Sequence, residues 1–435
     1  MTEASSQQSG TQPHILECPS CGLMQALPVL APGQAAQCAR CPTTLYRTKV
    51  HSHDYSTALT LTALVLLIVM ATTTLMTVET AGISHNAALL SGPAELVRRD
   101  MAPLGAVVVF VTLLAPLLRL VGTLYVMIRM YEEHPPPHLR RIFILVEQLR
   151  PWSMIEVFVF GVFVAYVKLG DLVQIGIGTG VYALLGLTFI LVWADGRLDR
   201  EAIWRRLDSR GEAVRNAHST SLLSGLAGAL GCETCGLVSV PRGGHWHCPR
   251  CNTVQHHRKQ NAIARTWALV IASAILYIPA NYYPVLTVVQ LGAGAPSTII
   301  GGVRELVSAG DYPLAALVFF ASVAVPMLKL IGLSIMLIAT QTGRSGWLRD
   351  RTRLYHVVRF IGRWSMIDIF MESLLGALVK FGSLVTIEPG VGAVAFCGVV
   401  ILTMFAAETF DPRLMWDSAT SAYPLPHGSA EASRS

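Results

Sequence analysis

Trp152-Ser-Met-Ile-Glu-Val-Phe158 and Trp364-Ser-Met-Ile-Asp-Ile-Phe370 are two versions of one heptapeptide, 212 residues apart (364 − 152 = 212). Ala115-Pro-Leu-Leu-Arg-Leu-Val-Gly122 and Val325-Pro-Met-Leu-Lys-Leu-Ile-Gly332 form a second pair upstream, 210 residues apart (325 − 115 = 210). Two motifs that recur in the same order at nearly the same offset indicate an internal repeat. The chain is therefore expected to use one module twice.

Composition places the chain in a membrane. Of its 435 residues, 52% are hydrophobic and 14% are charged, and the mean hydropathy is +0.51. A typical soluble domain has about 25% charged residues. The net charge of +6 is modest. Because the basic residues concentrate in loops, we interpret them as a sign of membrane topology and expect no nucleic-acid partner.

Eight of the nine cysteines form two sets of paired CxxC knuckles, and each set precedes one copy of the repeat. Sixteen residues (22–37) separate the knuckles of the first set and twelve (236–247) those of the second. This spacing is typical of zinc ribbons, in which four thiolates bind one ion tetrahedrally. We predict two structural Zn²⁺ ions, with thiol redox chemistry or an iron centre as alternatives. The predicted ligands are Cys18, Cys21, Cys38 and Cys41, and Cys232, Cys235, Cys248 and Cys251.

Eight apolar runs have lengths suited to membrane-spanning helices, which need about 20 residues. The predicted fold is an all-α polytopic membrane protein with two repeated four-helix modules, each preceded by a small cytoplasmic β zinc ribbon. Short turns between the third and fourth helices of each copy predict tight hairpins. The runs are Thr57–Val78, Met101–Ile128, Pro151–Val167, Leu172–Ala194, Thr266–Gln290, Tyr312–Thr340, Trp364–Val379 and Pro389–Ala407.

The domain boundaries follow from these elements. Zinc ribbons are expected at 14–50 and 229–260, and transmembrane modules at 54–198 and 263–417. Residues 199–228 are expected to be a linker, and the polar segments 1–13 and 418–435 to be disordered tails.

The distribution of lysine and arginine predicts the orientation. Basic residues concentrate on the side that carries both termini and both cysteine sets, which the positive-inside rule assigns to the cytoplasm. That compartment is reducing, so metal binding is favoured over disulfides. Two longer loops, about 79–100 and 291–311, face the opposite side.

Ionisable residues at membrane depth are costly and therefore count as functional candidates. The second copy carries Lys329, Ser365, Asp368 and Glu372, and the last three share one helix face because they lie at i, i+3 and i+7. We expect these four to form a polar cluster, either a structural ion pair or a functional pocket sensitive to protons. Pro326 is expected to kink the helix next to Lys329. The sequence contains no nucleotide-binding loop or hydrolytic triad, so no enzyme activity is expected.

Over about residues 14–417, the two four-cysteine ribbons, the repeated heptapeptide and a terminal Phe410-Asp-Pro-Arg-Leu-Met-Trp-Asp417 resemble the paraquat-inducible protein A (PqiA/LetA) family of bacterial inner-membrane proteins. The first copy has its closest counterpart of the terminal motif in Trp193-Ala-Asp-Gly-Arg-Leu198. The first module therefore looks degenerate.

The resemblance implies a multi-pass protein of the bacterial inner membrane that works with a periplasmic MCE-domain protein. Such a pair moves phospholipid between the inner and outer membranes, and this chain would load or extract the lipid. The alternatives are a thiol- or metal-responsive membrane stress protein and a scaffold that only anchors a periplasmic partner.

Overall fold

A computed structural model gives the arrangement of the chain. The structure describes residues 14–28, 30–31, 33–48, 52–80, 83–132, 136–170, 174–208, 229–240, 246–290, 293–378 and 385–421. The expected tail at 1–13 and most of the one at 418–435 lie outside these ranges, as does the expected linker beyond residue 208. Residues 200–207 of that linker form a helix, and residues 418–421 belong to the last helix.

The first ribbon and the first module follow each other in the chain. The ribbon has two antiparallel strand pairs, β1 with β2 and β3 with β4. Its strands are β1 (His14–Glu17), β2 (Met24–Leu27), β3 (Ala35–Gln37) and β4 (Thr44–Arg47). The first module consists of α1 (Ser52–Thr72), β5 (Thr74–Thr80), β6 (Ile83–Ala88), α2 (Ser91–Arg98), α3 (Ala102–Val109), a π-helical turn (Phe110–Leu114), α4 (Ala115–Arg129), α5 (His138–Leu149), a 3₁₀ turn (Arg150–Trp152), α6 (Ile155–Gly170), β7 (Gln174–Ile177), α7 (Thr179–Arg197) and α8 (Arg200–Leu207).

The second half has the same order of elements. In the second ribbon β8 (Leu230–Gly231) pairs with β9 (Val238–Ser239), and β10 (Trp246–His247) with β11 (Val254–Gln255). The second module consists of α9 (Ala262–Tyr282), β12 (Leu286–Gln290), β13 (Ala293–Ser297), α10 (Ile299–Ala309), α11 (Tyr312–Phe319), a π-helical turn (Phe320–Ala324), α12 (Val325–Gln341), α13 (Leu348–Ile361), a 3₁₀ turn (Gly362–Met366), α14 (Ile367–Leu378), β14 (Val385–Pro389), α15 (Val391–Thr409) and α16 (Arg413–Ser421).

Within the described ranges, seven helical runs are long and apolar enough to cross a membrane. The eighth expected span, Trp364–Val379, begins in a 3₁₀ turn and continues as α14, whose 12 described residues are too few for a full crossing. Eight spans therefore stay a prediction. The seven runs are Tyr55–Thr72, Ala102–Arg129, His138–Val167, Thr179–Arg197, Ala262–Tyr282, Tyr312–Gln341 and Val391–Thr409.

Each module carries a three-stranded antiparallel sheet that the sequence analysis did not predict. The strand orders are β6-β5-β7 and β13-β12-β14. In the second sheet Val288 lies opposite Ala295 on one side and Ile387 on the other. The expected turns between the third and fourth helices thus contain a strand. The central strands were counted as the ends of spans because their Val, Leu and Thr residues are apolar or β-branched, which suits strands as well.

A π-helical turn precedes Pro326, at which a kink was expected, and another precedes its counterpart Pro116. These turns end two residues before Pro116 and Pro326, at the same offset of 210 (326 − 116 = 210). Proline lacks an N–H and crowds the carbonyl four residues earlier, so a regular α-helical ladder cannot pass through it. A π-helical turn accommodates the interruption without ending the helix.

The two modules meet along α6 and α14, the helices that begin within the repeated heptapeptide. The rings of Phe158 and Phe370 are 5.4 Å apart and nearly perpendicular. A Cβ atom added to Gly161 would lie 2.7 Å from the Cβ of Phe370, closer than real side chains approach. Glycine at position 161 therefore allows the two modules to pack closely.

The structure corrects the expected first-copy counterpart of the terminal motif. Asp411 caps α16 by accepting a hydrogen bond from a backbone N–H of its first turn, and Asp199 does the same for α8. Trp204 and Trp416 follow at the same offset (416 − 204 = 212; 411 − 199 = 212). The counterpart is therefore Leu198–Arg205. The stretch Trp193–Leu198 shares an Asp, an Arg and a Leu with the motif. It lies at the end of α7, however, and its Asp caps no described helix.

Candidate metal centres and intramembrane polar cluster

The structure brings each set of four cysteines together, with the ligand atoms of a set all within 4.8 Å of one another. The closest sulfurs are 3.4 Å and 3.6 Å apart in the first set, and 3.5 Å apart in both pairs of the second. A tetrahedral site with Zn–S bonds of about 2.3 Å requires sulfurs about 3.8 Å apart. The sulfur atoms are therefore spaced for one ion of this size. The pairs are Cys18–Cys41, Cys21–Cys38, Cys232–Cys251 and Cys235–Cys248.

Backbone hydrogen bonds hold the knuckles in shape. The N–H of Gly22 donates to the carbonyl of Cys18 at 2.9 Å, and the N–H of Gly236 donates to the carbonyl of Cys232 at the same distance. Both glycines have a positive φ, +71° and +74°. Because a side chain would be strained in this conformation, glycine suits the position that follows each of these knuckles.

Close contact between two sulfurs of one set shifts the pKa values of their thiols in opposite directions. Hydrogen bonding with Cys21 lowers the pKa of the Cys18 thiol to about 5, and the same contact raises the pKa of Cys21. Four thiolates this close need a cation to offset their repulsion. All eight side chains are buried, and four sulfurs fill a tetrahedral shell without an open position. Each set could therefore hold one metal ion in a structural role.

The first ribbon packs on the second module. Ser20 Oγ lies 3.1 Å from His356 Nε2 of α13, and Arg349 Nε donates to the carbonyl of Arg40 at 3.1 Å. The Arg40 guanidinium lies over the ring of Trp416 in α16, 4.5 Å from its centroid. The ribbon that precedes module one thus rests on module two.

The second ribbon packs on the first module in return. Arg250, with 1% of its surface exposed, has its Nη1 3.3 Å from a Glu201 oxygen and its Nε 3.8 Å from an Asp208 oxygen. Trp204 of α8 packs against Phe143 of α5, with ring centroids 5.0 Å apart, in a cluster that includes Cys248 and Cys251 of the ribbon. Since Arg40 and Arg250 occupy the same place in their knuckles, equivalent residues make both crossed contacts.

The two ribbons also touch each other through Glu17. One of its carboxylate oxygens accepts a hydrogen bond from the N–H of Gly231 at 2.6 Å. The other lies 3.3 Å from Arg413 Nη1 and 3.5 Å from Arg258 Nη1. Arg413 also pairs with Glu233 of the second ribbon. The terminal motif is therefore the joint between both ribbons and the second module.

All four members of the expected polar cluster are buried. Lys329, Ser365, Asp368 and Glu372 are 2%, 0%, 9% and 3% exposed. Lys329 Nζ donates to the carbonyl of Gly362 at 3.3 Å, the first residue of the 3₁₀ turn that contains Ser365. This contact brings α12 against the start of the segment that carries both carboxylates.

The corresponding charges of the first copy are paired differently. Arg119 pairs with Asp195 of α7, and Arg150 Nε lies 3.6 Å from the same carboxylate. Glu156, the counterpart of Asp368, reaches across to the second module, where Arg363 Nη1 lies 3.1 Å from its oxygen. The two copies therefore place equivalent positions in different electrostatic surroundings.

A profile described as paraquat-inducible protein A matches the chain twice, over residues 54–208 and 263–420. The chain belongs to this family. It is 36% identical over 407 residues to the intermembrane transport protein PqiA of Escherichia coli K12, covering 93% of this chain and 95% of the relative. It is 29% identical over 404 residues to the lipophilic envelope-spanning tunnel protein A of the same organism (93% and 91% covered). A probable intermembrane transport protein of Haemophilus influenzae is 24% identical over 410 residues (92% and 95%).

No solved structure matches the chain. Seven apolar helical runs among the described residues, together with membership of the paraquat-inducible protein A family, make the chain a multi-pass membrane protein of a transport family. Two of these relatives are named as intermembrane transport proteins and one as an envelope-spanning tunnel protein.

Sequence reasoning missed the contacts that join the ribbons to the modules of this family member. Glu17, Arg250 and Arg413 look like ordinary surface charges in the sequence, yet Arg413 is 4% exposed and Arg250 is 1% exposed. One signal was available for Arg250, because it repeats the position of Arg40 between the last two cysteines of its set. The terminal motif was the signal for Arg413. Its charged residues and its large Trp indicate contacts with other parts of the chain, because a helix end without such contacts does not need them.

Proposed function

We propose that this chain is the inner-membrane component of an intermembrane phospholipid transport system. It loads lipid into, or extracts it from, a periplasmic tunnel formed by an MCE-domain partner, and both termini and both ribbons face the cytoplasm. It holds two structural Zn²⁺ ions and acts without ATP. Two four-helix modules, with eight spans in all, form its membrane part.

The observation that carries the proposal is the burial of one lysine and two carboxylates in the second module. Charged groups at this depth cost several kcal/mol unless they are paired or hydrated, and they persist where function needs them. Lys329, Asp368 and Glu372 lie on α12 and α14, and α14 also packs on the first module. Protonation of a carboxylate here would change the packing of the helix that joins the modules.

The relatives support the transport class. One is named an intermembrane transport protein and another an envelope-spanning tunnel protein, and each aligns with more than nine-tenths of this chain. A thiol-responsive function is less well supported, because the eight sulfurs are buried and close to one another. Reactive cysteines are partly exposed.

One experiment tests the proposal directly. The tagged chain is purified from membranes with its partners, and the co-purified proteins and lipids are identified by mass spectrometry. An MCE-domain protein together with phospholipid is expected. The complex, placed between donor and acceptor vesicles, should transfer labelled phospholipid. If the MCE-domain protein is recovered but no lipid is transferred, only the scaffold alternative is left. If neither the MCE-domain protein nor phospholipid is recovered, the proposal is overturned.

A further inference from the structure

A cavity of about 800 Å³ opens between the two modules on the side of the ribbons. Its walls come from the 3₁₀ turn and α7 of the first module and from α12, α13 and α15 of the second. The volume falls within the range of small-molecule sites, about 300–1,000 Å³. It lies beside the polar cluster, with which it shares Lys329 alone.

The lining combines basic and apolar side chains. Among the described residues around the cavity, seven are arginine or lysine and four are carboxylates, an excess of three positive charges (7 − 4 = 3). Trp152, Leu191, Phe360 and Met404 supply an apolar surface in the same cavity. A ligand that suits both surfaces has an anionic group attached to hydrocarbon.

Three of the four acidic groups of the lining pair with arginines, and the fourth, Glu408, interacts electrostatically with Arg359 and Lys259 beyond ion-pair distance. Asp195 pairs with Arg119, Glu147 lies 3.0 Å from Arg200, and Glu156 lies 3.1 Å from Arg363. In the part of the chain that the structure describes, neither Lys329 nor Arg359 has a carboxylate within 4.0 Å. The buried Lys329 ammonium has three donors and gives one to the carbonyl of Gly362. Lys329 and Arg359 therefore keep N–H groups that are available to donate hydrogen bonds to a bound anion.

We infer that this cavity binds the phosphate of an anionic phospholipid headgroup, with the upper acyl chain against the apolar wall. Lys329 and Arg359 contact the phosphate oxygens, and Arg150, whose Nε lies 3.6 Å from the Asp195 carboxylate, adds a third positive charge to the lining. Phosphate accepts charge-assisted hydrogen bonds of this kind readily. The inference rests on the proposed function, because it names the lipid class handled on the cytoplasmic side.

The test uses the purified full chain, stripped of lipid in detergent, without any partner. Binding is measured for dioctanoyl phosphatidylglycerol, for glycerol 1-phosphate and for dioctanoylglycerol. The double variant Arg150→Gln/Arg359→Gln removes two positive charges from the cavity. Its matched control, Arg129→Gln/Arg353→Gln, also removes two positive charges, but neither residue lines the cavity. Arg129 pairs with the exposed Glu132, and Arg353 pairs with the exposed Asp350.

Phosphatidylglycerol is expected to bind, and its affinity should fall by more than about tenfold in the cavity variant and stay unchanged in the control. Dioctanoylglycerol should not compete. Equal affinity for glycerol 1-phosphate would show a site for soluble phosphate and overturn the lipid assignment. If both double variants lose the same affinity for phosphatidylglycerol, the loss comes from the change in net charge, and the assignment of the site is overturned. If the double variant aggregates, Arg359→Gln alone serves, because this side chain is exposed.

The proposed function can fail separately from this inference. Binding is read without a partner, and transfer is read with one. Binding as expected with no transfer in the complete system would leave the cavity assignment standing and remove the transport function. Transfer that is intact in the cavity variant, together with unchanged binding, would remove the cavity assignment alone.

Discussion

Arg40, in the second knuckle of the first ribbon, lies over the ring of Trp416 in the last helix, 4.5 Å from its centroid. The contact joins a residue near the beginning of the chain to one near its end. The equivalent Arg250 of the second ribbon pairs with Glu201 of α8, the last helix of the first module. The ribbons therefore connect the modules crosswise, and a change in one ribbon acts on the module that it does not precede.

The crossed contacts should differ in strength. Arg250→Met removes the cation beside Glu201 and Asp208 in a buried site, so we expect a loss of about 3 kcal/mol or more in unfolding free energy. Arg40→Met removes a cation–π contact at a partly exposed site, worth about 0.5–1 kcal/mol. Thermal unfolding of the two variants in detergent measures both losses. Equal losses would contradict the assigned burial of Arg250.

Elemental analysis should find about two zinc ions per chain, one for each set of four cysteines. Cys232→Ser should lose one ion and unfold its ribbon, because a structural metal supplies folding free energy to a small domain. Cys397→Ser is the matched control, since Cys397 lies in α15 away from both sets, and it should keep both ions. Iron with a visible chromophore, or no metal at all, would exclude this assignment.

Cysteines introduced at Asn86 and Ser308 should react with an impermeant thiol reagent from outside the inner membrane. Both positions are exposed, on the side of the sheets. A cysteine at the exposed Ser345, in the turn between α12 and α13, should react only after the membrane is opened. The bias of lysine and arginine is the reason. Reaction of Asn86 and Ser308 variants from opposite sides would rule out the eight-span arrangement.

Asp368→Asn and Glu372→Gln should abolish phospholipid transfer while leaving expression and partner binding intact. Each substitution keeps the shape of the side chain and removes its charge, so a role in protonation is lost and packing is kept. Ser273→Ala provides the control, because Ser273 is buried in α9 and bonds only the carbonyl of Leu269 among the described residues. Normal transfer in both carboxylate variants would assign the cluster a structural role. Failure of either variant to fold would show that its carboxylate stabilises the fold.

Acid should weaken the joint at the terminal motif. Burial opposes the charge of Asp411, but hydrogen bonds and the positive charge of Arg413 outweigh it and hold the pKa of Asp411 below its ordinary value of 3.8. A carboxyl with a lowered folded-state pKa contributes stability above its ordinary pKa and loses it as the pH falls through the lowered value. Asp411→Asn should therefore destabilise the chain at about pH 7 and by a smaller amount at about pH 3, where part of the contribution is already lost because the pH lies below the ordinary pKa of 3.8. Unfolding curves that differ equally at both pH values would count against this ion pair.

The pairing of four cysteines was predictable because each knuckle is local. Two cysteines separated by two residues face one ion in a turn that five or six residues determine, and two such turns complete the site. The apolar runs were predictable for a similar reason, because an uncharged apolar run of about 20 residues is typical of a membrane-spanning helix. The ends of the first and fifth spans were not predictable in this way. Their last residues are apolar enough for a helix, but they pair with strands from distant parts of the chain.

The sequence alone determined the family, the cysteine sets and the membrane character of the chain, because these depend on composition and on contacts within a few residues. Only the tertiary structure decided that Arg250 and Arg413 are buried, that Glu17 links the two ribbons, and that Glu156 pairs with Arg363 of the other module. Glu17, Glu156 and Arg413 each lie more than 200 residues from at least one partner, and Arg250 lies 42 residues from Asp208 (250 − 208 = 42). A charge in a sequence carries no sign of such a partner, since the free energy of an ion pair depends on the distance and burial that folding produces.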